Sequence, residues 1–291
     1  METDSFTRAG ERLFLTQPTV TAHIKALEEA VGRQLLIRST RGMQITEAGS
    51  RVYDYAVSTL RQRDRLLAEL GCRGSDTVGI GIAASSVPAL YLLPELLAGF
   101  RRQRPLAEFS VTTCDSAEVE RRVREQRADI GLCGSRTPDS DCEYRPVAVD
   151  RLVVITPPIP PFSTLDPDEP FPLSLLLKEP MIAREVGSGT RREFEAWLRL
   201  CAPTAQPSVM VVMEDTLPIK KAVAAGMGIA VVSERAAADS AQSGQLLSFS
   251  LKGAAERGIY LVRHKSSRLA GLPREFFQYV QLALSVEDAQ I

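Results

Sequence analysis

Cysteine is scarce in this sequence: Cys72, Cys114, Cys133, Cys142 and Cys201 are an odd set with no C-x-x-C pair. A disulfide framework or a structural zinc site needs paired, closely spaced thiols. Ordinary buried or incidental thiols are therefore expected, with redox sensing as the alternative. Histidine is scarcer still, and His23 and His264 are too far apart in the chain to suggest a catalytic or metal cluster. Gly187-Ser188-Gly189 lacks the G-x-S-x-G spacing of a nucleophile elbow, and no nucleophile with a partnering base stands out. These absences point away from an enzyme and away from any cofactor or metal. No apolar run approaches the roughly 20 residues of a membrane-spanning helix. Met1-Glu2-Thr3-Asp4-Ser5 lacks the basic start and apolar stretch of an export signal. A soluble, cytoplasmic protein without a membrane partner is the expectation. A basic excess is missing too: 35 Lys and Arg stand against 36 Asp and Glu, a net charge of −1. Nucleic-acid-binding domains usually carry such an excess, so the total gives no hint of one.

What the sequence does have is length and alternating pattern. Its 291 residues, 44% hydrophobic, suffice for two or three domains. The first seventy residues read as helical. Phe6, Ala9 and Leu13 share one helical face, and Val20, Ile24, Leu27 and Val31 recur at helical spacing. Thr16 ahead of Gln17-Pro18 is a helix start, and Gly32 supplies the stop. Gln34 to Ile37 and Met43 to Ile45 read as short extended pieces around a polar turn, Arg38 to Gly42. Thr46 to Gly49 opens a long helix running to about Leu70, and Gly71 to Asp76 breaks the pattern as a linker. From Thr77 onward short apolar strands alternate with amphipathic helices, the signature of a mainly parallel sheet with crossover helices. Strands are expected at 78–82, 108–113, 129–133, 150–156, 181–183, 209–213, 229–232 and 258–263, and helices at 88–104, 116–126, 190–200, 217–225 and 269–286. Two halves of similar size predict a bilobed α/β domain with a ligand cleft between the lobes.

Residues 5–32 lay out a short helix, a tight turn and a second helix. That is the plan of a helix-turn-helix, whose second helix enters the major groove. With Val20, Ile24 and Leu27 turned inward, the outward positions fall to Gln17, Pro18, Thr19, Thr21, His23 and Lys25. Such side chains read base edges or hold phosphates. Arg38, Thr40 and Arg41 would form a wing reaching the flanking backbone or minor groove. The same pattern also fits a small helical domain with no role on DNA. The strings SFTRAGERL at 5–13, TQPTVTAHIKALEEAVG at 16–32 and LLIRSTRGMQITEAG at 35–49 resemble the N-terminal domain of the LysR-type transcriptional regulators. The resemblance continues through YLLPELLAGFRRQRP at 91–105, ADIGLCGS at 128–135 and AVAAGMGIAVVS at 222–233, and so spans essentially the whole chain. It implies a multidomain protein: an all-α winged helix-turn-helix at 1–49, a linker helix at 50–71 that pairs subunits, and a periplasmic-binding-protein-like effector domain at 77–291. In that domain, lobe I would take about 77–150 and 255–291, and lobe II about 151–254. The family's first domain typically opens with a further helix ahead of the string matched here at Ser5. The resemblance therefore implies that the winged domain lacks its first helix, which would leave Phe6, Leu13 and Leu27 short of a packing partner and weaken DNA binding.

Three loops are candidates for the cleft. Glu185 to Arg191 precedes a helix, where free N–H groups and a partial positive charge favour an anion. That loop also reads as an ordinary one with an N-cap; Ala84 to Pro88 sits equivalently after the first strand, and Glu214 to Leu217 stands at the start of a helix. The resemblance raises Ser85, Ser86, Ser188, Gly189, Thr190 and Thr216 to effector contacts. Segments 85–97 and 184–198 look like those of the family's sulfur- and selenium-metabolism regulators, which implies a sulfur oxyanion effector, with aromatic or other organic carboxylates also open. The partners implied are double-stranded DNA, the small effector, a second or further copies as homodimer or homotetramer, and RNA polymerase. The competing readings are a redox-responsive regulator of the same family using its cysteines, and a small-molecule-binding protein without DNA activity. Residues 1–75 carry 11 basic against 9 acidic side chains, so DNA binding must rest on the placement of Lys25, Arg38 and Arg41.

Overall fold

The computed structural model describes residues 5–39, 42–69, 79–138, 140–253, 256–267 and 269–284. The linker expected at 71–76, together with Thr40, Arg41 and Cys72, lies outside the described residues. The chain divides into two compact units, Met1–Leu66 and Leu67–Ile291.

The first unit begins with α1 (Phe6–Leu13) and α2 (Gln17–Val31). Ser5 caps α1 by accepting from the Arg8 N–H, and Thr16 caps α2 by accepting from the Thr19 N–H. Gly32, at φ 67°, closes α2 in the left-handed conformation expected of a C-terminal glycine. Two short strands follow, β1 (Leu36–Ser39) and β2 (Gly42–Ile45), paired antiparallel with Leu36 opposite Ile45. They are tied to α2 by Glu28, whose Oε1 accepts from the Leu35 and Leu36 N–H groups at 2.7 and 3.1 Å. The 23-residue α3 (Glu47–Glu69) opens at Thr46, whose Oγ1 accepts from the Gly49 N–H at 2.9 Å. Among the described residues of this unit, Val20 and Leu35 are its buried large hydrophobics, while Leu13 and Leu27 are 61% and 41% exposed. Phe6, Leu13, Val20, Ile24, Leu27 and Val52 line one open apolar groove.

The second unit is built on a nine-stranded sheet of order β4-β3-β5-β11-β6-β9-β7-β8, with β10 also on β6. One half contains β3 (Ile80–Ala84), α4 (Ser86–Tyr91), α5 (Leu93–Gln103), β4 (Phe109–Thr113), α6 (Ser116–Arg124) and β5 (Ile130–Cys133), together with the terminal β11 (Glu256–His264) and α11 (Gly271–Ala283). The other contains α7 (Leu173–Lys178), β7 (Met181–Arg184), α8 (Gly189–Cys201), β8 (Val209–Met213), α9 (Thr216–Ala224), β9 (Ile229–Ser233), α10 (Glu234–Gln242) and β10 (Leu247–Ser250). The 15-residue β6 (Cys142–Thr156) runs through both: Cys142 to Arg151 pair with β11, and Leu152 to Ile155 pair with β9. Each half has its own core, one around Phe100, Ile130 and Phe276, the other around Leu176, Ile182 and Ile219.

The structure departs from the sequence reading in several places: α7, α10 and β10 stand where no element is expected, and β6 opens at Cys142, ahead of the strand expected at 150–156. The sheet is parallel within each half, β4-β3-β5 and β8-β7-β9, but antiparallel at every pairing of β6 and β11. The single helix expected at 88–104 is two, broken at Leu92, because Pro94 in the first turn of α5 has no N–H to continue the ladder from α4. Asp115 caps α6, accepting from the Glu118 N–H at 2.8 Å.

Candidate functional site

On α2 the N-terminal half presents Gln17, Pro18, Thr21, His23 and Lys25 to solvent, with Thr19 half-buried. Val20 is buried and Ile24 half-buried on the opposite face, as the spacing predicts. Thr19 Oγ1 lies 2.8 Å from Thr16 Oγ1, and Thr21 Oγ1 donates to the Gln17 carbonyl at 3.0 Å. Lys25 sits 4.0 Å from Glu29, both highly exposed. Such a surface pair is worth little and leaves the ammonium available to a phosphate. Arg38 lies on β1 opposite Met43; its side chain, like Thr40 and Arg41, falls outside the described residues.

In the second unit, Ser85, Ser86, Val87, Asp115, Ser116, Arg184, Ser188, Gly189, Thr190 and Arg257 wall one cavity of about 10 Å³. Five of the six sequence-derived effector residues meet there. Thr216 does not line it, yet is buried behind it and accepts from Arg184 Nη1 at 3.1 Å. The walls come from both halves: α4 and α6 from one, β7 and α8 from the other, and β11 at the crossing. Ser188 caps α8 by accepting from the Arg191 N–H, so the first turn of that helix, with its free N–H groups, abuts the cavity. The halves touch closely here. A Cβ at Gly189 would lie 2.8 Å from Ser116 Oγ, and one at Gly187 within 2.2 Å of the Asp115 carboxylate. Glycine at both positions permits that approach.

Two arginines give the cavity its charge, and sequence reasoning named neither. Arg184, at the end of β7, is 6% exposed. Its Nε and Nη2 donate to the two Glu185 carboxylate oxygens at 2.8 and 2.7 Å, and Nη2 also reaches Ser86 Oγ at 3.4 Å. Arg257, on β11, donates through Nε and Nη2 to Asp150 Oδ2 at 2.9 and 2.7 Å, and through Nη1 to Thr190 Oγ1 at 2.9 Å. Asp150 also accepts from Ser233 Oγ at 2.7 Å. A signal for Arg184 existed: a cation closing the apolar run Met181-Ile182-Ala183, at the C-terminal end of a parallel strand, where open α/β sheets bind ligands. Arg191, inside the expected anion loop, instead holds Glu195 at 2.7 Å and the Arg184 carbonyl at 3.0 Å.

None of the four described thiols lines this cavity. Burial pushes Cys133 up to about 12 and Cys114 up to about 11, so both are protonated at neutral pH and poorly nucleophilic. Among the described residues no group of His, Cys, Asp and Glu is arranged to hold a metal ion, and no helix is long and apolar enough to cross a membrane.

A capped helix-turn-helix with a strand pair, followed by a two-halved α/β unit closing on a polar cavity, defines an effector-responsive transcriptional regulator. Residues 1–50 match the family described as "Bacterial regulatory helix-turn-helix protein, lysR family", and residues 79–285 match "LysR substrate binding domain". This chain belongs to the LysR family. The regulator CysL of Bacillus subtilis is 32% identical over 234 residues, covering 80% of this chain and 77% of that protein. The transcriptional activator CmpR of Synechocystis is 30% identical over 282 residues, covering 96% and 90%. Among solved structures, the Synechocystis CcmR regulatory domain in complex with 2-PG superposes with TM-score 0.64 at 23% identity, over 72% of this chain and 99% of that one. A full-length OxyR variant from Pseudomonas aeruginosa gives 0.65 at 19% identity, over 97% and 93%.

Proposed function

We propose that this LysR-type regulator senses a small anion held between the two halves of its second unit, and that α2 reads DNA. The observation that carries the effector reading is the cavity itself, where two buried guanidinium groups, each paired with a carboxylate, five serine or threonine residues and the first turn of α8 face one space. Anions suit such a space, and a neutral apolar ligand would leave its polar groups unpaired. Asp115 on the same wall favours an effector carrying a hydrogen-bond donor beside its anionic group. Organic hydroxy acids are therefore served as well as the sulfur oxyanions that segments 85–97 and 184–198 brought forward. The effector binding domain of QuiR, solved in complex with shikimate, shares the fold with TM-score 0.65 at 17% identity.

On DNA, Gln17, Thr21 and His23 are proposed to meet base edges while Lys25 and the wing arginines Arg38 and Arg41 hold phosphates. Two copies paired through α3 would bring two recognition helices to successive half-sites. The effector acts by binding one arrangement of the halves better than another, since a ligand shifts an equilibrium only by its differential affinity.

The test is calorimetric titration of the full chain with sulfate, sulfite, thiosulfate and shikimate, each followed by gel-shift titration on its promoter DNA at fixed salt. Saturable binding of at least one anion with a changed DNA affinity is expected. Flat titrations across the panel would remove the anion reading. In the same gel-shift assay, Gln17→Ala should relax base preference, whereas Lys25→Ala should weaken all sequences alike.

A further inference from the structure

Arg184 does not face the cavity with a free guanidinium. The edge formed by Nε and Nη2, the one that suits a two-oxygen anion, is filled by the carboxylate of the next residue in the chain, at 2.8 and 2.7 Å. Around that ion pair stand two hydroxyls that reach the same guanidinium from opposite halves of the unit, Ser86 Oγ on α4 and Thr216 Oγ1 on α9. The geometry is that of an anion site already holding an anion. We infer that Glu185 is a built-in competitor: its carboxylate occupies Arg184 when no effector is bound, and the effector enters by displacing it. The inference rests on the reading that the effector is an anion in this cavity.

Three observations bear on it. The cavity is about 10 Å³, space for at most a single water, so something in its wall must move before any organic acid or oxyanion is admitted. Glu185 lies outside the cavity's lining but holds Arg184, which lines it, and it has somewhere to go, because its side chain is 17% exposed while that of Arg184 is 6% exposed. Exchange of one carboxylate for another anion also leaves the buried arginine paired throughout. A buried cation stripped of its partner would oppose binding, and this route never creates one. The consequence is specificity. The effector must offer two oxygens on one edge, as a carboxylate, sulfate or phosphate does and a halide does not, and its affinity is set against that of Glu185.

The experiment compares wild type, Glu185→Gln, Glu185→Asp and the double variant Arg184→Gln/Glu185→Gln, all as full-length chains. Each is titrated with sulfate, thiosulfate and shikimate at ionic strength held constant with chloride. If Glu185 holds Arg184 about nine-tenths of the time, its removal lowers the apparent Kd about tenfold. Glu185→Gln is expected to bind at least one of these anions that much more tightly, with the gain abolished in the double variant. Glu185→Asp retracts the carboxylate by one methylene and is expected to gain affinity too, so a misfolded Glu185→Gln does not decide the matter. Wild type that binds as tightly as, or more tightly than, both single variants overturns the competitor while leaving the anion cavity standing. Absence of binding in wild type and in both single variants overturns both.

Discussion

At the scale of single residues, the most consequential pair is Arg257 and Asp150. Their side chains are 3% and 0% exposed, and they sit on β11 and on β6, the strand that runs through both halves, with Ser233 and Thr190 completing the hydrogen bonds. Asp150→Asn keeps the shape of the site but leaves the guanidinium without a counterion where water cannot reach it. A loss of about 3–5 kcal/mol is expected, read as a lower urea midpoint of the full-length chain. Asp150→Asn/Arg257→Met, which removes both charges, should recover part of that loss, and no recovery would place the effect elsewhere than in the unpaired charge. Four of the five serine and threonine positions lining this site, all but Ser116, were legible in sequence because each stands at a strand-to-helix turn, a local pattern. Arg184 and Arg257 were not: a charge near a strand end reads as a solvent-facing residue until the partner that buries it is known. Asp150 lies 107 positions from Arg257 in the chain, and no periodicity links them.

Elements were easier to read than their partners. The caps of α2 and its apolar face follow from local chemistry, and the structure has them where Thr16, Gly32 and Val20 predict. The strand β6 is the instructive exception. Sequence pattern opens it at Asp150, whereas it begins at Cys142, because Pro146 and the charges of Glu143 and Arg145 argue against a central strand. The sheet accommodates Pro146 at a bulge, where the register passes from Ile259 opposite Ala148 to Tyr260 opposite Pro146. The entry into β9 makes a second element-level constraint. Gly226 and Gly228 both have positive φ, 81° and 149°, but a Cβ at 226 meets open space, while one at 228 would lie 2.2 Å from the Pro180 carbonyl oxygen. Gly226→Ala should therefore cost about 1–2 kcal/mol, the left-handed penalty alone. Gly228→Ala should cost clearly more, since the colliding atom is backbone and accepts the Ile229 hydrogen bond at 2.9 Å that aligns β7 with β9. Equal losses in thermal denaturation of the two variants would contradict this ordering.

At the scale of the whole molecule, pH is expected to bound stability on both sides, and among the described residues the groups responsible lie in the second unit. Burial alone would raise the Glu118, Glu120 and Glu143 carboxyls, but their partners outweigh it and hold all three below the ordinary 4.5: Arg121 and Arg122 for Glu118, Thr137 and Ser140 for Glu120, and Arg263 and Arg145 for Glu143. The Lys220 hydrogen bond at 2.6 Å does the same for Asp239, against an ordinary 3.8. Below these ordinary values the unfolded chain takes up protons that the folded chain refuses, so stability present above about pH 5 is lost as pH falls through the folded values. The alkaline side has the opposite sign. Cys133, ordinarily 9.0, is pushed by burial to about 12, so above pH 9 the unfolded chain releases a proton that the folded one retains. Burial raises Tyr144 in the same sense. Urea midpoints of the full-length chain should thus form a plateau between about pH 5 and pH 9 and fall away on either side. Cys133→Ala should make the alkaline fall shallower, with Cys114 and Tyr144 still contributing to it, while leaving the acid one in place. A midpoint that rises as pH drops below 4.5 would mean that the arginine and lysine partners do not stabilise these carboxylates in solution.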